Sequence, residues 1–162
     1  MAQKKTIHFD VLVHDDISAL SRKDQALVLA SQKALEGAYA PYSEFKVGAA
    51  LLLDNGEVVI GSNQENASYP SGLCAERVAV FQAGACFPGV GIRCIAVSAA
   101  SNAGEVVQPA APCGNCRQSI YEYEHRQGKP IRILLMGQSG PVWECSSIAD
   151  ILPLGFNSSF LG

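Results

Sequence analysis

The chain has 162 residues, 48% of them hydrophobic and 17% charged, with a formal net charge of −3. That length suits one domain, residues 1–162, able to bury a core without staples. No run nears the ~20 apolar residues that cross a bilayer, and the basic residues are scattered, so neither a membrane nor a nucleic acid is expected as a partner. The start, Met1–Lys5, lacks the apolar block and cleavage site of a signal peptide, which makes the cytoplasm the expected compartment. In that setting the six cysteines at 74, 86, 94, 113, 116 and 145 speak for metal or catalytic use over three disulfides.

In chain order, Ile7, Phe9, Val11 and Val13 alternate with other residues and predict a short, half-exposed strand over 6–13 at a sheet edge. Ser21 three residues before Asp24 is an acidic variant of the capping box and opens a helix that ends near Gly37–Pro41. Two apolar runs, 46–53 and 57–62, flank Asp54-Asn55-Gly56 and predict a hairpin. The turn Tyr69-Pro70-Ser71-Gly72 leads into a helix from about Cys74 to Ala85. A buried strand at Ile92–Ala99 and a loop at Ser101–Pro112 follow. A helix from about Cys113 to Arg126 is stopped by Gly128 and Pro130. Strands at Ile131–Met136 and Val142–Cys145 flank a Gly137–Gly140 turn, and a short C-terminal helix from Ser146 or Ser147 finishes by Pro153. This order predicts an α/β sandwich, one mixed sheet with helices on its faces.

The chemistry concentrates at two of these helix starts. Cys74 and Glu76 lie where unpaired N–H groups and a positive dipole favour a thiolate. Cys113 and Cys116, three apart in Pro-Cys-Gly-Asn-Cys, share one helix face. Three thiolates and a water make the open layout of a catalytic zinc site, whereas structural sites are closed by four protein ligands. None of His8, His14 and His125 lies near either motif, so sulfur is expected throughout. Two other readings stand beside this one: a thioredoxin-like redox pair at 113 and 116, and a structural zinc closed by Cys86, Cys94 or Cys145. Three thiolates leave Zn²⁺ at −1; the two helix dipoles and Arg77 or Arg117 are the candidates to restore positive character, and Arg77 is expected to donate to the sulfurs, its plain alternative being a surface ion pair.

A free Glu beside a cysteine-held zinc, with P-C-x-x-C as the second half, is the signature of hydrolytic base deamination. Here Cys74-Ala75-Glu76-Arg77 and Pro112 to Gln118 resemble the paired motifs of the nucleoside cytidine deaminases, the short homotetrameric kind. The resemblance runs from about Ala38 to Phe156 and takes in Tyr39-Ala40-Pro41-Tyr42-Ser43 with Phe45, Val47-Gly48-Ala49-Ala50, and the stretch from Asn63 to Tyr69. It implies a three-layer sandwich on a mixed five-stranded sheet, with residues 1–20 as an extension that adds an edge strand or a subunit contact. It implies one Zn²⁺ per subunit on Cys74, Cys113 and Cys116, with Glu76 shuttling protons to pyrimidine N3 and to the departing amine. Asn63 and Glu65 match residues that bind the ribose 3′-hydroxyl, Phe45 matches an aromatic that packs on the nucleoside, and the Ala75 backbone would bond the base. Tyr69 belongs with the substrate-binding residues, and Phe156 matches a residue reaching into a neighbouring subunit's site. The activity implied is deamination of cytidine and 2′-deoxycytidine in pyrimidine salvage, with a modified cytosine nucleoside such as blasticidin S as the alternative substrate.

Overall fold

The computed structural model describes residues 1–162. Six strands and three α-helices alternate in it: β1 Leu12–His14, α1 Arg22–Ala34, β2 Phe45–Leu53, β3 Val58–Ser62, α2 Ala75–Cys86, β4 Ile92–Ser101, α3 Gly114–Gln127, β5 Arg132–Met136 and β6 Val142–Cys145. Local chemistry sets the boundaries. The Ser21 hydroxyl accepts from the Asp24 amide at 3.2 Å and donates to its carboxylate at 2.8 Å, capping α1. Gly128, at φ +63°, ends α3 in the left-handed conformation that glycine adopts without penalty.

The strands form one sheet in the order β1-β6-β5-β4-β2-β3. β4 is central, antiparallel to β2 and parallel to β5, while β3 is antiparallel to β2. Thus β3, β4 and β5 all run the same way. Their carboxyl ends share one edge of the sheet, and β2 starts at that edge, with Phe45 opposite Ser101. α2 follows β3 and α3 follows β4, so both helices begin there. This is the rim where ligands bind in open α/β sheets.

Strand alternation sorts the core onto two faces. Ile95, Val97, Ile133 and Leu135 point to the side of Ala79, Val80 and Ile120 from α2 and α3. Cys94, Ala96, Leu134 and Met136 point the other way, against Leu27 and Val28 of α1. The result is a three-layer α/β/α sandwich. The layers meet closely at Gly48 in β2, where a Cβ would collide with the backbone of α1 at Ser31.

Three elements differ from the sequence reading. The N-terminal strand is at the edge, as expected, and raises the sheet to six strands, but only Leu12–His14 are paired. β6 offers four residues, and its ladder with β1 spans Leu12↔Glu144 to His14↔Val142; Ile7, Phe9 and Val11 lie exposed beyond it. β4 continues to Ser101 because the start of β2 gives Ala100 and Ser101 partners. The C-terminal helix is a single 3-10 turn, Ile148–Ile151, closed by a Ser147–Asp150 capping box, and a second such turn covers Ser158–Phe160.

Candidate active site

α2 opens at Cys74 and α3 at Cys113, each cysteine occupying the N-cap in extended backbone with no side chain capping the first turn. Two helix starts at one sheet edge then aim their unpaired N–H groups and positive dipole ends at shared space. Arg117 braces the second start, donating to the carbonyls of Pro112 and Ile151 at 2.7 Å each. Its part is therefore to hold the Pro112–Cys113 turn against the C-terminal segment.

The sulfurs converge. Cys74 Sγ lies 3.8 Å from Cys113 Sγ, Cys113 Sγ lies 3.5 Å from Cys116 Sγ, and all three fall within 4.8 Å of one another. A tetrahedral zinc with ~2.3 Å bonds to sulfur separates its ligands by about 3.8 Å, so the trio fits such an ion. Cys86, Cys94 and Cys145 stay outside the cluster and all six cysteines are free. Cys94 and Cys145 sit in strands, where burial pushes both thiols up, Cys94 to about 12; they behave as small apolar side chains. A structural four-sulfur zinc lacks its fourth sulfur here. Within the cluster, hydrogen bonding from the Cys116 thiol is the chief cause that lowers Cys74 to about 5, against the effect of burial and with help from Cys113 and Arg77. The same bond raises Cys116. The lowered Cys74 thiol favours the metal-binding thiolate form.

Glu76 stands on the first turn of α2, 4% exposed, and its Oε2 is buried without a hydrogen-bond partner. Burial pushes its carboxyl up, and the Cys74 charge adds to that. Arg77 is turned inward: Nη2 donates to the Gly72 carbonyl at 3.3 Å and Nε is buried with no partner. The surface ion pair is therefore not its role. Orphaned polar atoms of this kind in a cavity mark a place for a ligand or ordered water.

These groups open into a cavity of about 630 Å³. Phe45, Asn63, Glu65 and Tyr69 line it together with Cys74, Glu76, Arg77 and Cys113. Cys116 is fully buried behind it. Ala75 does not line the cavity; its side chain is packed in the core under α2. Phe156 lies elsewhere, half exposed and stacked on Phe160 at 5.4 Å, its carbonyl accepting from Gln118 at 2.8 Å. Two of the polar residues in the cavity wall, Asn63 and Glu65, are already engaged. Asn63 accepts from the Val47 amide at 2.8 Å and donates to the Phe45 carbonyl at 2.9 Å. Glu65 accepts from the Tyr42 amide at 2.9 Å and from the Ser43 amide and hydroxyl, and the Ser43 bond above all lowers its pKa. Composition and spacing did not single out Ser43, which also lines the cavity and was hinted at only by the stretch Tyr39–Ser43; Ala110 and Ala111, also in the lining, belong to the loop 102–111, whose length let it reach the site rim.

A sulfur-ringed metal position beside a buried free carboxyl, at the carboxyl edge of an α/β/α sandwich, is the equipment of a hydrolytic deaminase. Residues 21–128 match the family model described as the cytidine and deoxycytidylate deaminase zinc-binding region. The chain belongs to that family, and specifically to its cytidine deaminases. It is 38% identical over 134 residues to the cytidine deaminase of Halalkalibacterium halodurans, covering 83% of this chain and 94% of that protein. It is 36% identical over 137 residues to that of Sporosarcina psychrophila, covering 85% and 93%. The crystal structure of cytidine deaminase from Burkholderia pseudomallei superposes with a TM-score of 0.71 at 41% identity, over 85% of this chain and 100% of that one. The family match begins at residue 21, the cap of α1.

Proposed function

We propose that this chain removes the 4-amino group of cytidine and 2′-deoxycytidine by zinc-dependent hydrolysis, giving uracil nucleosides and ammonia in pyrimidine salvage. One observation carries the reading: a buried carboxyl with an unpartnered oxygen, Glu76, shares a cavity with Cys74 and Cys113. Held by Cys74, Cys113 and Cys116, a zinc ion supplies the Lewis acidity that activates water near neutral pH. Glu76, its pKa raised by burial, carries the proton that pyrimidine N3 needs and later delivers one to the departing amine. Arg77, directed inward beside the sulfurs, offsets the excess negative charge of three thiolates.

The rest of the cavity suits a nucleoside. Glu65 retains acceptor capacity after its three bonds, and Asn63 retains one amide N–H, enough to hold the 3′-hydroxyl of a sugar. Phe45 and Tyr69 give apolar walls for the ring system. Glu65 and Glu76 disfavour a 5′-phosphate, with Arg77 the one cationic residue in the lining. Phe156, exposed and outside its own chain's cavity, serves the site of a neighbouring copy in a homotetramer with one zinc per subunit. Residues 1–162 act as one deaminase domain carrying 1–20 as an extension. Six free cysteines support a reducing compartment such as the cytoplasm.

Ultraviolet absorbance separates the candidate substrates: it falls on conversion of cytidine and 2′-deoxycytidine, with blasticidin S run in parallel. Glu76→Gln keeps shape and removes the mobile proton, so turnover drops by about 10²–10⁴-fold while metal analysis still finds one zinc per chain. Wild-type turnover in this variant refutes the proton-carrying role.

A further inference from the structure

The turn leading into β2 holds a backbone conformation that ordinary side chains rarely adopt. Glu44 has φ +54°, in the left-handed region, and its carbonyl is pinned by the Asn102 amide at 3.2 Å. Such local strain persists where surrounding contacts enforce it, and those contacts cluster at functional sites. Here they centre on Ser43. Its hydroxyl donates to Glu65 Oε1 and accepts from the Phe45 amide at 3.1 Å. Its own amide, with that of Tyr42, donates to Glu65 Oε2. One hydroxyl therefore joins the carboxylate on one wall of the cavity to the backbone of the aromatic on another, across 22 residues of sequence.

We propose that Ser43 is a positioning residue for nucleoside binding: it fixes the Glu65 carboxylate and the Phe45 ring relative to each other so that a sugar hydroxyl and a base are met together. The inference rests on the reading above that Glu65 contacts the 3′-hydroxyl. An ionised carboxylate offers about four acceptor positions, and residues 42 and 43 occupy three. Without the Ser43 hydroxyl, Glu65 Oε1 loses its partner and swings about Oε2, which the Tyr42 and Ser43 amides still hold, out of the position that leaves the fourth site for substrate. The chemistry at Glu76 and the sulfurs is untouched, so the loss falls on binding.

The test compares cytidine with 3′-deoxycytidine in the zinc-loaded full chain. Ser43→Ala is expected to raise KM for cytidine about tenfold, the scale of one lost charge-assisted hydrogen bond, with kcat within about twofold. The preference for cytidine over 3′-deoxycytidine shrinks by a similar factor, and Ser43→Thr restores it. An equal loss on both nucleosides, or a fall in kcat alone, overturns the proposal. Glu65→Gln separates the two layers. If it leaves the preference intact, the sugar contact itself is wrong and this proposal falls with it; if it abolishes the preference while Ser43→Ala does not, only the positioning role is lost. Should Ser43→Ala fail to fold, Ser43→Thr against the isosteric Ser43→Val makes the same comparison.

Discussion

Glu124 is the one buried acid that takes no part in the cavity, and its removal has a calculable effect. It lies near the C-terminal end of α3, the helix that delivers Cys113 and Cys116 at its other end. Its carboxylate accepts from the Ile131 amide at 2.6 Å, the Ser147 hydroxyl at 2.6 Å, and the amides of Ile148 and Ala149 at 3.1 and 3.4 Å. Those bonds tie α3 to the entry of β5 and to the turn at 148–151. In Glu124→Ala the Ile131 and Ile148 amides are left buried without acceptors, whereas the Ala149 amide keeps the Ser147 hydroxyl at 3.0 Å. Two orphaned donors at about 1–2 kcal/mol each, with about 1 kcal/mol of lost side-chain packing, give a destabilisation of about 3–5 kcal/mol. At 2–4 °C per kcal/mol for a chain of this size, Tm falls by roughly 6–20 °C. Glu124→Gln is far milder, about 1 kcal/mol, because its amide oxygen can serve both buried N–H groups and its NH₂ can face the Ser147 hydroxyl. Urea unfolding of the zinc-loaded proteins, with the slope checked for constancy, measures both. An alanine variant within 1 kcal/mol of wild type, or a glutamine variant as damaged as alanine, refutes this account of the hub.

Two other outcomes follow from the charges and the sulfurs. Burial pushes Asp24 up, but hydrogen bonds from Arg132 and Ser21 and the charge of Arg132 outweigh it and hold the carboxyl below 3.8. A depressed acid stabilises the fold above its unfolded value and loses that contribution as pH falls through the folded one. The Tm gap between wild type and Asp24→Asn is therefore full above pH 3.8 and closes with acidification; a gap that widens in acid contradicts the sign. Cys74→Ser removes a cluster ligand, so dialysis against a mild chelator leaves it well below one zinc per chain. Cys94→Ala keeps its zinc under the same treatment, since Cys94 is buried in β4 away from the cluster, and equal zinc loss in both variants would dissolve the assignment of ligands.

Legibility followed the range of the interactions. The start of α1, the β2–β3 hairpin and the end of α3 depend on Ser21 with Asp24, on Asp54-Asn55-Gly56, and on Gly128, each within a few residues of the boundary it sets. The edge strand was placed correctly but drawn too long, because its extent is set by β6, which lies about 130 residues away. Arg77 was expected near the sulfurs and does turn inward, yet its bond to Gly72 depends on a loop path that no periodicity encodes. Glu124 gave no signal at all: an acid on the flank of an amphipathic helix looks solvated until the entry of β5 and the turn after β6 fold over it.

What the sequence determined by itself was chemical supply: two helix starts bearing thiols, an acid two residues past the first, and apolar periods that build a sheet between helices. Those features are local, because caps, turns and alternation act over a handful of neighbouring residues. Only the tertiary structure decided convergence. The parallel run of β3, β4 and β5 brings Cys74 to within 3.8 Å of Cys113, and the left-handed Glu44 sets Ser43 against Glu65. Both depend on sheet order and on close approaches such as Gly48 against α1, which arise from packing the whole core at once rather than from any short stretch of it.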